Sequence, residues 1–142
     1  MQFEKPPEAR TIDEILTSAR SHLSRVKPEA AHSQLQAADL AGAPPVLLVD
    51  IRPAAQRTQE GQIEGSLVIE RNVLEWRFDP QSSAHIAVVD QWGYDTRVII
   101  MCQEGYTSSL AARALQELGL KHTTDLEGGY RAWREAGLPD KI

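Results

Sequence analysis

Hydrophobic residues fall along this chain in two patterns. Short unbroken apolar runs alternate with longer stretches in which apolar residues recur every three or four positions. The first pattern marks strands buried on both faces, and the second marks helices with one covered face. Val46-Leu47-Leu48-Val49 and Val98-Ile99-Ile100-Met101 are the strongest runs. Shorter strands are predicted at 66–69 and 122–126. Thr11 and Glu14 have capping-box spacing, opening a helix to about Leu23 with Ile12, Ile15, Leu16, Ala19 and Leu23 on one side. Pro28 suits the first turn of a second helix reaching about Ala41 and stopped by Gly42. Shorter helices are predicted over 53–60, closed by Gly61, over 71–77, stopped by Asp79-Pro80, and over 84–89. Leu110, Ala111, Ala114, Leu115 and Leu118 form the stripe of a longer helix ended by Gly119. A last helix is predicted over 130–136, after the breaker Gly128-Gly129 and before Gly137 and Pro139. Parallel neighbours need crossover connections, so strands alternating with helices imply an α/β fold with a mostly parallel sheet.

Composition narrows the picture. A chain of 142 residues with 42% hydrophobic and 25% charged side chains can build one domain with a real core. The net charge of −5, without any Lys/Arg block, argues against a nucleic-acid surface. No apolar run approaches the length of a membrane span. The polar arm at 1–10, with Pro6-Pro7, reads as lacking a secretion signal, so a cytoplasmic protein is expected. The single cysteine excludes an internal disulfide and a Cys-rich zinc site. His22, His32, His85 and His122 are scattered without metal-ligand spacing.

That cysteine is the centre of interest. Cys102 ends the 98–101 strand, and Gln103, Glu104, Gly105, Tyr106 and Thr107 lead into the longer helix. A strand–loop–helix turn gathers backbone N–H groups and aims the positive end of the helix dipole at the loop centre. A thiolate there is stabilised, and the thiolate is the reactive form. Hydrogen bonds to a charged group contribute about 1.5–3 kcal/mol each, so two or three amides suffice without a histidine partner. Glu104 opposes this and is expected to point outward. The competing reading is an inert buried cysteine, the commoner fate of a lone Cys. Its place at the carboxyl end of a strand, where open α/β sheets bind ligands, favours the reactive one. Thr107, Ser108 or Ser109 can cap the helix, and Tyr106 can wall a pocket.

Four motifs in register carry a resemblance. They are Leu48-Val49-Asp50-Ile51-Arg52, Gly61-Gln62-Ile63-Glu64-Gly65-Ser66, Cys102-Gln103-Glu104-Gly105-Tyr106-Thr107-Ser108, and Gly128-Gly129-Tyr130-Arg131-Ala132-Trp133. In order and spacing they resemble a single rhodanese domain. The resemblance implies a three-layer fold with a roughly five-stranded parallel sheet. It sets an N-terminal arm and helix, 1–24, apart from a rhodanese-like domain at 25–142; that helix is free to cover the sheet or to form a homodimer contact. It implies a sulfurtransferase in which Cys102 takes sulfane sulfur, holds it as a persulfide and passes it to a nucleophile. The partners are then a small sulfur-donor anion or a persulfide, plus a sulfur acceptor, with no cofactor, metal, nucleic acid or membrane. The amides of 103–107 would hold the terminal sulfur. Asp50, close to the loop, could bind its amides, and Arg52 and Ser108 would support it. The other reading of Asp50 and Arg52 is a surface pair contributing under about 1 kcal/mol. Arg57 is near the place of a substrate-anion arginine, within one position of register; Arg71 and Arg77 are weaker candidates.

Two departures matter. Gln62 stands where the family usually has histidine, and the loop carries Glu104 with no basic residue. The second counts against efficient thiosulfate turnover and leaves a protein or low-molecular-weight persulfide as an alternative donor. One alternative class is a non-enzymatic persulfide carrier or regulatory module. Another is a cysteine phosphatase, which needs an arginine six positions after the cysteine, where this chain has Ser108.

Overall fold

A computed structural model describes residues 2–37 and 42–142. Its elements are α1 (Ile12–Arg20), α2 (Pro28–Ala37), β1 (Val46–Asp50), α3 (Ala54–Glu60), β2 (Leu67–Val68), α4 (Leu74–Phe78), α5 (Ala87–Trp92), β3 (Arg97–Met101), α6 (Thr107–Glu117), β4 (Thr123–Asp125) and α7 (Gly129–Glu135). A 3-10 turn at Arg71–Val73 precedes α4 and another at Gly93–Asp95 follows α5. The last four residues of the predicted second helix, 38–41, lie outside the described residues.

The strands form one parallel sheet in the order β2-β1-β3-β4. Beyond β4 a fifth position is occupied by a single parallel bridge between Val26 and Leu126. Val26 N–H donates to the Asp125 carbonyl at 3.1 Å and its carbonyl accepts from Glu127 N–H at 2.8 Å. The sheet is therefore four strands plus one bridging residue, because the chain turns from Val26 straight into α2.

Neighbouring strand residues point to opposite faces, and both faces are covered. Val49, Val98 and Ile100 pack with Leu74, Phe78, Val89, Ala111, Ala112 and Leu115. Leu48, Ile99 and Met101 pack with Ala31, Tyr130 and Trp133 on the other side. Two-sided burial is why those runs show no polar alternation. α1 packs chiefly against α6, burying Leu16 and Ala19. Its capping box closes in both directions, Glu14 N–H to Thr11 Oγ1 at 3.1 Å and Thr11 N–H to Glu14 Oε1 at 3.2 Å.

One helix is displaced. The stretch expected to be helical at 84–89 starts only at Ala87. Asp79 Oδ1 and Ser82 Oγ accept the N–H groups of Gln81 and Ala84, while Ile86 N–H goes to the Arg77 carbonyl. Those short polar side chains offer turn bonds that compete with helix bonds until Ile86.

Candidate active site

Asp50 and Met101 are register partners at the carboxyl ends of β1 and β3. The chain leaves both ends on the same edge of the sheet, which brings 51–53 and 102–106 together. Cys102 is 5% exposed, and its Sγ accepts one hydrogen bond, from Gly105 N–H at 3.2 Å. Gly105 has φ +86, and a Cβ on it would stand 2.7 Å from Gly128 N. The turn back toward the sulfur therefore requires glycine.

The loop is held from outside by its carbonyls. The Cys102 carbonyl accepts from Tyr130 N–H at 2.8 Å, and the Gln103 carbonyl from Arg131 N–H at 3.0 Å. The Gly105 carbonyl accepts from Arg20 Nη2 at 2.7 Å and Arg25 Nη2 at 2.8 Å. In a trans peptide the C=O and the following N–H point in opposite directions, and no peptide among the described residues is cis. The N–H groups of Gln103, Glu104 and Tyr106 are thus turned away from those anchors. Those of Tyr106 and Thr107, at the start of α6, have no acceptor among the described residues. So the sulfur itself receives one amide, and the helix start leaves further donors unengaged.

Asp50 and Arg52 are both buried, which makes them an internal strut and not a surface pair. Asp50 takes Arg52 Nε at 3.0 Å, Arg52 Nη2 at 2.8 Å and Arg52 N–H at 3.0 Å. The expectation that Asp50 binds loop amides is corrected here: Arg52 occupies its oxygens. Arg52 makes the link to the loop, through Nη1 to Gln103 Oε1 at 3.0 Å. Its Nη2 also reaches the Gly61 carbonyl at 2.9 Å, and its guanidinium lies 4.1 Å from the centre of the Tyr130 ring.

Ser108 and Ser109 do not cap α6. The N-cap is Tyr106, without a side-chain bond, and Thr107 is the first helical residue. Both serine hydroxyls donate at 2.8 Å to Oδ2 of Asp125, a buried carboxylate at the end of β4. Both serines lie inside the helix, past the N-cap position, and their hydroxyls are turned to that carboxylate.

Beside Cys102 lies a mostly apolar cavity of about 320 Å³, lined by Ile51, Pro53, Gln56, Tyr106 and Thr107, with Arg52, Gln103 and Glu104 at its polar side. Tyr106 is 60% exposed at its rim. Arg57 is not among the lining residues; its Nε donates to the Arg52 carbonyl at 3.2 Å, and Gln56, one position earlier, faces the cavity instead. Arg71 pairs with Glu75, and Arg77 bonds the Ala84 carbonyl. Glu104 is half exposed and stands 3.8 Å from Arg131. A larger cavity of about 600 Å³ adjoins, sharing Gln56, Gln103 and Glu104 and adding Glu60, Arg131, Arg134 and Glu135.

The Rhodanese-like domain profile matches residues 33–136. The chain belongs to the rhodanese-like domain family. It is 31% identical over 96 residues to the adenylyltransferase and sulfurtransferase MOCS3-2 of Zea mays, covering 68% of this chain but 19% of that protein. It is 32% identical over 66 residues to the thiosulfate sulfurtransferase GlpE of Actinobacillus pleuropneumoniae, covering 42% of this chain and 61% of that one. The chain thus spans less than two thirds of either relative's length. A solved protein from Rhodopseudomonas palustris, described as of unknown function and a possible tyrosine phosphatase, superposes with a TM-score of 0.78 at 31% identity over 96% of this chain and 98% of its own. A rhodanese-related protein of Thermoplasma volcanium shares the fold, with a TM-score of 0.58, 22% identity, 81% of this chain and 94% of its own.

In this rhodanese-like domain three residues around the loop escaped sequence reasoning: Arg20, Arg25 and Asp125. Asp125 did carry a signal, a carboxylate inside a strand at the sheet edge that also bears Cys102. The arginines carried none, since ordinary solvated charges at and after the end of a helix look the same. The histidines lie elsewhere: His32 packs edge-on against Trp133, and His85 pairs with Asp90. That hydrogen bond, helped by the Ser82 carbonyl, raises the His85 pKa above its ordinary value. Among the described residues no three His, Cys, Asp or Glu side chains are grouped to hold a metal.

Proposed function

We propose that this domain is a sulfurtransferase in which Cys102 carries sulfane sulfur as a persulfide, with a thiol persulfide as preferred donor. The Cys102 thiolate attacks the outer sulfur of R–S–SH. A new S–S bond forms to Sγ, the donor's S–S bond breaks, and R–S⁻ leaves and takes up the proton. An acceptor nucleophile then attacks the terminal sulfur, and the Cys102 thiolate returns. With thiosulfate as donor, sulfite would be the leaving group.

The observation that carries this reading is the Gly105 N–H on Sγ beside the unengaged N–H groups of Tyr106 and Thr107. Donors fixed in that way suit an anion that moves outward by one bond when sulfur is added. Names of relatives such as GlpE support the chemistry, as does the family.

The donor preference follows from charge. Thiosulfate is a dianion, yet the cavity beside Cys102 offers Glu104 and an Arg52 already committed to Asp50, Gln103 and Gly61. One unit of repulsion at about 4 Å costs about 1–4 kcal/mol, about fivefold or more in rate. The apolar walls suit the carbon skeleton of a thiol carrier. In steady-state assays with cyanide as acceptor, kcat/KM for an alkyl persulfide should exceed that for thiosulfate by at least about fivefold. Equal values would remove the donor assignment. Low-molecular-weight thiols suit the cytoplasm, the compartment we infer. Single loading without turnover would point instead to a carrier or regulatory module.

The description of the Rhodopseudomonas palustris protein raises phosphatase chemistry as a second reading. That reading needs a guanidinium at position 108 to clamp phosphoryl oxygens, whereas Ser108 is turned to Asp125. Hydrolysis of an aryl phosphate by wild type but not Cys102→Ser would restore it.

A further inference from the structure

We propose that Arg20 and Arg25, from the segment ahead of the family-matched region, are positioning residues that lock the Gly105–Tyr106 peptide with its N–H toward the Cys102 site. The inference rests on the sulfur-carrier reading of Cys102, but its test does not depend on sulfur transfer alone.

The observation is a closed ring of hydrogen bonds behind the loop. Arg20 Nη2 and Arg25 Nη2 both donate to the Gly105 carbonyl, at 2.7 and 2.8 Å. Arg25 is held in turn by Asp125, Nε to Oδ1 at 2.9 Å and Nη2 to Oδ2 at 3.2 Å. Arg20 Nε donates to Ser109 Oγ at 3.1 Å, and that hydroxyl donates to Asp125 Oδ2. Each guanidinium thus grips the carbonyl with one nitrogen and is anchored by another. Arg20 also lies over the ring of Tyr106, 5.6 Å from its centre. The profile match begins at residue 33, so neither arginine belongs to the matched region.

Glycine at 105 makes a lock necessary. With no Cβ, the 105–106 peptide can rotate at little cost, and a half-turn would direct its carbonyl oxygen at an anionic sulfur. Two charged donors on that oxygen select one orientation. By peptide planarity they turn the Tyr106 N–H to the opposite side from themselves, at the start of α6, whose Tyr106 and Thr107 line the cavity. Neither Arg20 nor Arg25 lines that cavity, so they act through the peptide and not on the donor.

Arg25 neutralises a buried carboxylate, and removing it endangers folding. The test therefore uses Arg20→Ala and Arg20→Lys, each checked by circular dichroism. The readouts are single-turnover persulfide loading from an alkyl persulfide and iodoacetamide alkylation of Cys102 at neutral pH. The expected order in both rates is wild type, then R20K, then R20A, with R20A at least about tenfold slower. The donor concentration for half-maximal loading should not change. In ¹H–¹⁵N NMR, the Tyr106 amide should shift on alkylation of wild type, and this response should be lost in R20A. A merely structural arginine would leave the Tyr106 response in place. R20A matching wild type in both rates and in the Tyr106 response overturns the proposal. If wild type takes up no sulfur, the reading of Cys102 fails, and the alkylation and NMR results alone decide on the clamp.

Discussion

Arg52 shows how a charge can be structural at the edge of a reactive site. It is the largest charged side chain fully buried among the described residues, and Asp50, two residues before it, supplies its counter-charge. Burying such a pair contributes little by itself, because desolvation offsets the attraction; breaking it leaves one charge stranded. Asp50→Asn keeps the shape and strands Arg52. We expect a loss of about 3–5 kcal/mol, read from the urea midpoint at unchanged slope. A loss under about 1 kcal/mol would return the pair to the surface class. The acid-then-base pattern after an apolar strand was visible in the sequence. Its geometry was not, because Arg52 meets Gln103, distant along the chain, only once β1 and β3 are paired in register. Short-helix register decides whether position 56 or 57 faces the cavity, and nothing in the local sequence sets it; Gln56 lines the cavity and Arg57 does not.

At the scale of elements, the contact that shapes the loop is the start of α7. Gly128-Gly129 reads in the sequence as a strand breaker, and both residues do take positive φ. Sequence does not show why a second glycine is needed. A Cβ on Gly129 would stand 2.4 Å from the Cys102 carbonyl and 2.7 Å from the Gln103 carbonyl, the groups that α7 holds. Gly137, also at positive φ, has nothing within 4 Å of its virtual Cβ. The two sites separate backbone strain from loop displacement. Gly137→Ala should lower stability by about 1–2 kcal/mol and leave persulfide loading intact. Gly129→Ala should lower stability further and slow loading, as thermal melts and single-turnover assays would measure. Equal effects on loading would show that α7 does not set the loop. Strong apolar runs and helix stripes were legible because burial fixes their period. The start of α6 was not, since the helix begins ahead of both serines, whose hydroxyls donate to Asp125 from another strand.

At the scale of the molecule, parallel strands bring β1, β3 and β4 to one edge, and each ends in part of the same apparatus: Asp50 and Arg52, Cys102, and Asp125. The α/β class and the family were readable from the order of the motifs. The involvement of α1 was not, since its amphipathic pattern predicts a covered face without naming what it covers. That face lies on α6, and its last residue reaches Gly105. The central claim is that this assembly lets Cys102 accept and release sulfane sulfur, and the direct test is the intact mass of the protein after brief exposure to an alkyl persulfide and removal of excess donor. The account predicts a gain of one sulfur atom on wild type, absent from Cys102→Ser and removed by cyanide with release of thiocyanate. No added sulfur on wild type, with either a persulfide or thiosulfate, would contradict it.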